Sequence, residues 1–172
     1  RATDFNELRV INDSNVVVHF IRNKTSSYYL YVKNEAGKYY TESGDEAYIE
    51  KVTGYDQYQY ISAKGEKLLF AKIDNLPNNE YRLIKITDRS GNIITHDYET
   101  YKTDNKMVIT DATGNTYTVF AETTVASVKL ISKIVTKDFV TSAEKTWTYA
   151  YDANGFLTRE RYEDLFTEKG YG

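Results

Sequence analysis

Short runs of alternating apolar and polar residues recur along the whole chain and are separated by turn residues. Residues 15–22 (NVVVHFIR) are apolar on both faces, whereas residues 80–87 (EYRLIKIT) alternate with a period of two. Both patterns are typical of β-strands, the first buried and the second half-solvated. Similar runs predict strands over residues 27–33, 38–41, 46–52, 56–62, 67–73, 106–110, 115–122, 125–135, 144–151 and 156–162. A short helix is an alternative over residues 159–169, where helix-forming residues precede Gly170.

Three predicted turns share one design, in which an Asp is followed three positions later by a Gly. The pairs are Asp88 with Gly91, Asp111 with Gly114 and Asp152 with Gly155, and residues 34–37 form a variant that begins with Asn. The Asp or Asn side chain can cap the turn, and the Gly takes the left-handed conformation that closes a bulged hairpin. Calcium coordination is the alternative, but an Asp-x-Asp-x-Asp array is absent and we expect no metal.

Composition supports an all-β fold, because aromatic residues reach 15% and include 17 Tyr, whereas the chain has one Pro and one Met. The apolar fraction is 41% and the charged fraction 27%, without an apolar run long enough to span a membrane. The net charge of −3 argues against nucleic-acid binding. Cysteine is absent, which excludes disulfides, thiolate zinc sites and a thiol nucleophile.

The polar stretch at residues 99–105 (ETYKTDN) is the best predicted domain boundary. It separates residues 1–103, which are enough for a β-sandwich, from residues 104–172, which are expected to form a smaller antiparallel β-meander. The second unit can bury only a modest core and is therefore expected to pack on the first. The chain opens at Arg1 without Met or a signal-type segment, so we expect a piece of a longer protein.

Residues 73–95 (IDNLPNNEYRLIKITDRSGNIIT) resemble the strand-F region of bacterial immunoglobulin-like and fibronectin type III-like modules. In that region a Leu-Pro turn precedes Tyr-x-Leu and an Asp-x-x-Gly-Asn turn, which here are Leu76, Pro77, Tyr81, Leu83, Asp88, Gly91 and Asn92. The resemblance implies an antiparallel immunoglobulin-like sandwich. It also implies that the Tyr81 hydroxyl bonds a backbone group just upstream, as in a tyrosine corner. The Gly usual in that turn is missing from residues 78–80.

Modules of this kind occur in wall-anchored surface proteins of Gram-positive bacteria, both in adhesins and in cell-envelope subtilisin-like proteases. The resemblance therefore implies an extracellular, cell-surface location and a non-catalytic accessory or adhesive role. The module would act as a rigid spacer, as a host-ligand binding domain, or as both. Its partners would be other domains of the same chain and a host protein or glycan.

Recognisable enzyme signatures are missing from the sequence. The two histidines are His19, in the middle of a predicted strand, and His96, whose neighbour Asp97 faces the opposite side of a strand. A nucleophile elbow, a Walker loop and a dinucleotide fingerprint are all absent. We therefore predict no catalytic residues and no cofactor, with a small secreted hydrolase using two carboxylates as the alternative.

Aromatic residues provide the binding candidates. Tyr55, Tyr58 and Tyr60 lie close together, with Tyr55 at a bend, and the alternative to a contact patch there is cross-strand packing. Trp147 alternates with Tyr149 and Tyr151, a pattern that suits either a sugar-stacking strip or core packing. A carbohydrate-binding module is accordingly the alternative to an adhesive or spacer module.

Overall fold

The computed structural model describes residues 5–22, 25–41, 46–73, 77–98 and 105–164. These residues form sixteen strands and no helix, so the all-β class is confirmed. The described strand pairings are all antiparallel. Within the described residues, a helix that could cross a membrane is not found.

The strands succeed one another at short spacing, as the turn residues of the sequence predict. They are β1 (Phe5–Asn12), β2 (Asn15–Arg22), β3 (Thr25–Lys33), β4 (Tyr39–Tyr40), β5 (Tyr48–Lys51), β6 (Gln57–Ile61), β7 (Lys67–Ala71), β8 (Glu80–Thr87), β9 (Ile93–Asp97), β10 (Lys106–Thr110), β11 (Thr116–Phe120), β12 (Thr123–Val125), β13 (Val128–Leu130), β14 (Lys133–Lys137), β15 (Glu144–Tyr151) and β16 (Leu157–Asp164). The helix considered over residues 159–169 is a strand as far as Asp164, and residues 165–172 lie outside the described ones.

The chain divides into two compact units, Arg1–Ile94 (unit 1) and Thr95–Gly172 (unit 2). The division falls inside β9, upstream of the predicted boundary after residue 103. Most of the polar stretch that suggested that boundary, residues 99–104, lies outside the described residues.

Unit 1 is a closed sheet of eight strands. Strands β1 to β8 pair in chain order, and β1 also pairs with β8, where Leu8 lies opposite Tyr81. A sheet closed in this way forms a barrel with its core inside. The immunoglobulin-like sandwich is not confirmed, because a sandwich consists of two separate sheets packed face to face.

The core of the barrel consists of inward-facing side chains from all eight strands. Its members are Leu8, Val16, Val18, Tyr31, Tyr39, Ala47, Ile49, Tyr58, Tyr60, Leu68, Phe70, Tyr81, Leu83 and Ile86. Strict alternation along β8 would place Ile86 on the face opposite Tyr81. A bulge corrects this expectation, because Leu69 pairs with Lys85 and Phe70 with Leu83, so that Ile84 is skipped and Ile86 turns inward.

Unit 2 is a single antiparallel sheet in the order β9-β10-β11-β14-β15-β16, with β12 and β13 as a separate hairpin. None of its described side chains is fully buried. The predicted strand over residues 125–135 is wrong in extent, because the chain turns at Ala126 and Ser127 and divides the segment among β12, β13 and β14. The residue pattern does not indicate this turn, since the turn contains no Gly, Asn or Pro.

The Asp turns have the geometry that their residue pattern suggests. The Asp88 carboxylate accepts the backbone N–H groups of Ser90 and Asn92, both at 2.9 Å. Gly91 has a φ of 90°, in the left-handed region that suits glycine. The turns that begin at Asp111 and Asp152 repeat this arrangement, with Gly114 and Gly155 also at positive φ. The Asp oxygens therefore hold hairpin turns.

The β12–β13 turn predicts a stabilising substitution. Ala126 and Ser127 have φ values of 48° and 67°, which cost energy for residues other than glycine. We expect Ser127→Gly to raise the free energy of unfolding by about 0.5 kcal/mol, since the relief of strain exceeds the entropy cost of glycine. Ser90→Gly is the control, because Ser90 lies outside the left-handed region and glycine there should destabilise. Urea denaturation of both variants measures the difference, and a loss of stability in Ser127→Gly would contradict this account.

Candidate functional site

In the part of the chain that the structure describes, three surface depressions could hold a ligand. One of about 610 Å³ lies at an end of the unit 1 barrel, beside the β6–β7 turn. A second, of about 460 Å³, is lined by the turn between β5 and β6. The third, of about 390 Å³, lies on the sheet of unit 2.

The depression at the barrel end has a polar rim with Tyr60 among its lining residues. Its polar groups stabilise the adjoining turns. The Ser62 hydroxyl oxygen accepts the Glu66 N–H at 3.0 Å, and the Asp88 carboxylate caps its own turn. The rim also carries Lys64 and Arg89, so that it contains both positive and negative groups. Charge therefore selects no particular ligand at this end of the barrel.

The predicted tyrosine patch is only partly at the surface. Tyr55 is 66% exposed and lines the depression between β5 and β6. Tyr58 and Tyr60 are 5% and 7% exposed, because both point into the barrel from β6. The prediction that Tyr58 and Tyr60 belong to a surface contact patch is therefore wrong, and the alternative, cross-strand packing, is right for both. Any contact surface at this turn would depend on Tyr55 alone.

Three of the buried tyrosines form a cluster inside the barrel. The Tyr58 ring contacts the edges of Tyr39 and Tyr81, with centroids 6.2 Å and 5.0 Å away. The Tyr39 hydroxyl donates to the Asp13 carbonyl oxygen at 3.2 Å. The Tyr81 hydroxyl donates to Asp56 Oδ1 at 2.7 Å. The cluster therefore combines aromatic packing with hydroxyl groups that reach polar partners.

The residues of the predicted tyrosine corner are placed differently from the expectation. Tyr81 is buried, but its hydroxyl bonds the Asp56 side chain rather than a backbone group just upstream. Pro77 is exposed and its carbonyl oxygen accepts the Glu80 N–H at 3.0 Å, while Leu76 lies outside the described residues. Tyr81 therefore belongs to the barrel strand β8, and its hydroxyl does not form the predicted tyrosine corner.

The tyrosine cluster has shifted acid–base properties. Burial raises the pKa of Tyr58 to about 12, and the charges of Tyr39 and Asp56 add to the effect. Burial and the hydrogen bond to Asp56 also raise the pKa of Tyr81. The same hydrogen bond lowers the pKa of Asp56, helped by Lys72, whose Nζ lies 3.0 Å from Asp56 Oδ2. The protonated forms of Tyr58 and Tyr81 and the ionised form of Asp56 thus stabilise one another.

Unit 2 exposes a surface that we call the aromatic face. Cross-strand pairing places Met107, Val119, Ile134, Trp147 and Tyr162 in one row across five strands. Side chains two residues along a strand share a face, which adds Ile109, Tyr117 and Tyr149. The rings of Trp147 and Tyr162 lie 5.1 Å apart. Tyr117 is 37% exposed and Tyr162 49%.

The depression in unit 2 lies on this aromatic face. Tyr117, Thr136, Lys145 and Trp147 contribute to its lining, together with the loop between β14 and β15. The loop is held in place by the Phe139 N–H, which donates to Asn115 Oδ1 at 2.9 Å. Of the predicted binding residues, Trp147 is thus the one that lies beside the depression of unit 2, whereas Tyr55 and Tyr60 line depressions of unit 1. Sequence periodicity identified Trp147 but missed Tyr117 and Tyr162, because their proximity depends on strand register.

Among the described residues, groups of three or more His, Cys, Asp or Glu that could hold a metal ion do not occur. Protein-family models do not match the chain, and no curated protein matches it. The fold and the site define an all-β chain with a closed eight-stranded unit and a second unit that exposes an aromatic sheet face.

The buried tyrosine hydrogen bond gives a stability prediction. Tyr81→Phe should lower the free energy of unfolding by about 1–2 kcal/mol, because Asp56 loses a donated hydrogen bond while the ring remains. Tyr55→Phe is the matched control, since Tyr55 is exposed and its hydroxyl should contribute little. Denaturant titration of the two variants compares the effects, and equal midpoints would show that the bond to Asp56 contributes nothing.

The raised pKa of Tyr58 predicts a loss of stability in alkali. Tyrosines in the unfolded chain ionise near pH 10, whereas folded Tyr58 stays protonated up to about pH 12. The contribution of Tyr58 is therefore fully present below about pH 10 and is lost as the pH rises to about 12. Tyr58→Phe should make the decline shallower, because it removes the group whose pKa differs between the folded and the unfolded chain. Unfolding measured at several pH values tests this, and identical slopes for Tyr58→Phe and the wild type would contradict it.

Proposed function

We propose that this chain is a non-catalytic adhesive or accessory module of a larger bacterial cell-surface protein, and that its aromatic face binds a protein ligand. The observation that carries the proposal is the row of apolar side chains across unit 2, in a sheet without fully buried residues among those described. Four residues of the row are half-buried and Tyr162 is exposed, and apolar surface that stays open to solvent is typical of interaction sites.

The residue types of the aromatic face suit a protein partner. Tyr, Trp and Met are enriched where proteins contact each other, and Trp and Tyr are the commonest anchors of such contacts. Trp147 and Tyr162 support each other by ring contact, so both rings are held in position before a ligand arrives. Preorganised rings lose little conformational entropy on binding.

Unit 1 suits the role of a rigid spacer. Its closed sheet leaves β1 and β8 paired with each other along Glu7–Arg9, which removes two edges that could otherwise pair with another chain. The Tyr58 and Tyr81 rings and the apolar core fill its interior. A filled barrel resists deformation and has little room for a ligand inside.

The cell-surface setting rests on the resemblance of residues 73–95 to modules of Gram-positive surface proteins. The extracellular location, the adhesive role and a relationship to immunoglobulin-like modules are parts of this proposal. The parent protein would supply the other domains, whether it is an adhesin or a cell-envelope protease.

A carbohydrate-binding module is the second candidate function. Its support is the 390 Å³ depression, where Trp147 and Tyr117 are accompanied by the polar side chains of Asn115, Thr136 and Lys145. Aromatic rings can stack on the apolar faces of sugars, and polar side chains around them can bond the hydroxyl groups. The two functions share one surface and differ in the ligand.

Binding assays with Trp147→Ala test the proposal. The probes are a panel of immobilised extracellular-matrix proteins and an array of neutral glycans, and the whole chain is used. We expect the wild type to bind a protein of the panel and Trp147→Ala to weaken that binding about tenfold or more, as for an aromatic anchor. Tyr55→Ala removes an exposed ring from unit 1 and should bind like the wild type. Binding to glycans alone would favour the second candidate, and unchanged binding by a folded Trp147→Ala would reject the aromatic face.

A further inference from the structure

The opposite face of the unit 2 sheet carries a line of positive charges, which we call the basic row. Lys106 pairs with Phe120, Phe120 with Lys133, Lys133 with Thr148, and Thr148 with Arg161. These five residues are the neighbours in sequence of Met107, Val119, Ile134, Trp147 and Tyr162, so they point away from the aromatic face. Arg159 lies two residues before Arg161 on the same face of β16.

The basic row presents its charges at regular intervals. Lys106, Lys133 and Arg161 lie on every second strand, so their backbones are separated by roughly 10 Å, which is two inter-strand spacings. The ring of Phe120 lies between the first two cations, with Lys133 Nζ 4.4 Å from its centroid. The hydroxyl group of Thr148 lies between the second and third.

These cations are available to a ligand. Ion pairs between Lys106, Lys133 or Arg161 and a carboxylate do not occur among the side chains that the structure describes. Arg161 is exposed, and Lys106 and Lys133 are half-buried. A row of like charges without paired acids attracts an anion, because the anion removes their mutual repulsion.

We infer that the basic row binds an acidic polysaccharide that carries about one negative charge for every two sugar rings. The backbones that carry successive cations are separated by about the length of two pyranose rings, so each charge of such a polymer would lie within reach of one long cationic side chain. The Phe120 ring and the Thr148 hydroxyl group between the cations would contact the uncharged ring of each repeat. This site lies on the other face from Trp147 and does not depend on the proposed protein ligand.

A nucleic acid fits the row less well. Its phosphates are spaced at about 3.4 Å along a strand, so most of them would find no cation in a row with roughly 10 Å spacing. The net charge of the chain is also negative, which opposes a densely charged polymer. A sparsely charged polysaccharide avoids both difficulties.

Binding of the whole chain to hyaluronan, which has one carboxylate per disaccharide, tests the inference. We expect the wild type to bind at low ionic strength and to release the polymer as salt is added. Lys106→Gln combined with Lys133→Gln should weaken binding about tenfold. Lys64→Gln combined with Lys67→Gln removes the same charge from exposed positions of unit 1 and should bind like the wild type.

Several results would overturn the inference. They are failure of the wild type to bind hyaluronan, equal losses in both double variants, and tighter binding to single-stranded DNA of equal length. Lys133→Arg keeps the charge and should retain binding, which separates charge from folding. Trp147→Ala should bind hyaluronan as the wild type does. Failure of the proposed binding by the basic row can therefore be distinguished from failure of the proposed binding by the aromatic face.

Discussion

The pairing of β1 with β8 is the interaction on which unit 1 depends. It joins the first and last strands of the barrel through Glu7–Arg82, Leu8–Tyr81 and Arg9–Glu80. Leu8 is fully buried at this seam, and on the outer side the Glu7 carboxylate forms ion pairs with Arg82 at 3.1 Å and with Arg9 at 3.2 Å. Closure encloses the inward side chains of all eight strands in one core. Without it, β1 and β8 would expose two edges and the core would open to water.

Such a closure is not found among the described strands of unit 2, and their sheet buries much less. Its strands pair mostly in chain order, as those of unit 1 do, but no described side chain is fully buried. The two faces therefore acquire different chemistry from alternate residues of the same strands. Trp147 lies on the aromatic face and its neighbour Thr148 on the face of the basic row. The same strand register thus aligns the apolar row on one face of the sheet and the cationic row on the opposite face.

Local features of this fold could be predicted from the sequence, whereas the closure could not. The turn at Asp88 and the alternation of β15 depend on neighbouring residues, so the pattern contains them. Leu8 and Tyr81 meet across most of unit 1, and nothing in either segment indicates the other. The motif at residues 73–95 suggested a sandwich because a buried Tyr81 suits either architecture, and the pairing of β1 with β8 distinguishes them.

Dependence on the three-dimensional fold also explains why the contact patch predicted at Tyr55, Tyr58 and Tyr60 was only partly right. Tyr55, Tyr58 and Tyr60 form one run in the sequence, yet a single bend leaves Tyr55 in solvent and directs the other two into the barrel. Trp147 and Tyr162 are well separated in the sequence, yet the β15–β16 register brings their rings into contact. A binding surface on a sheet is assembled across strands, perpendicular to the chain. For this reason the rows of unit 2, rather than any continuous segment, contain the surfaces that a ligand would recognise.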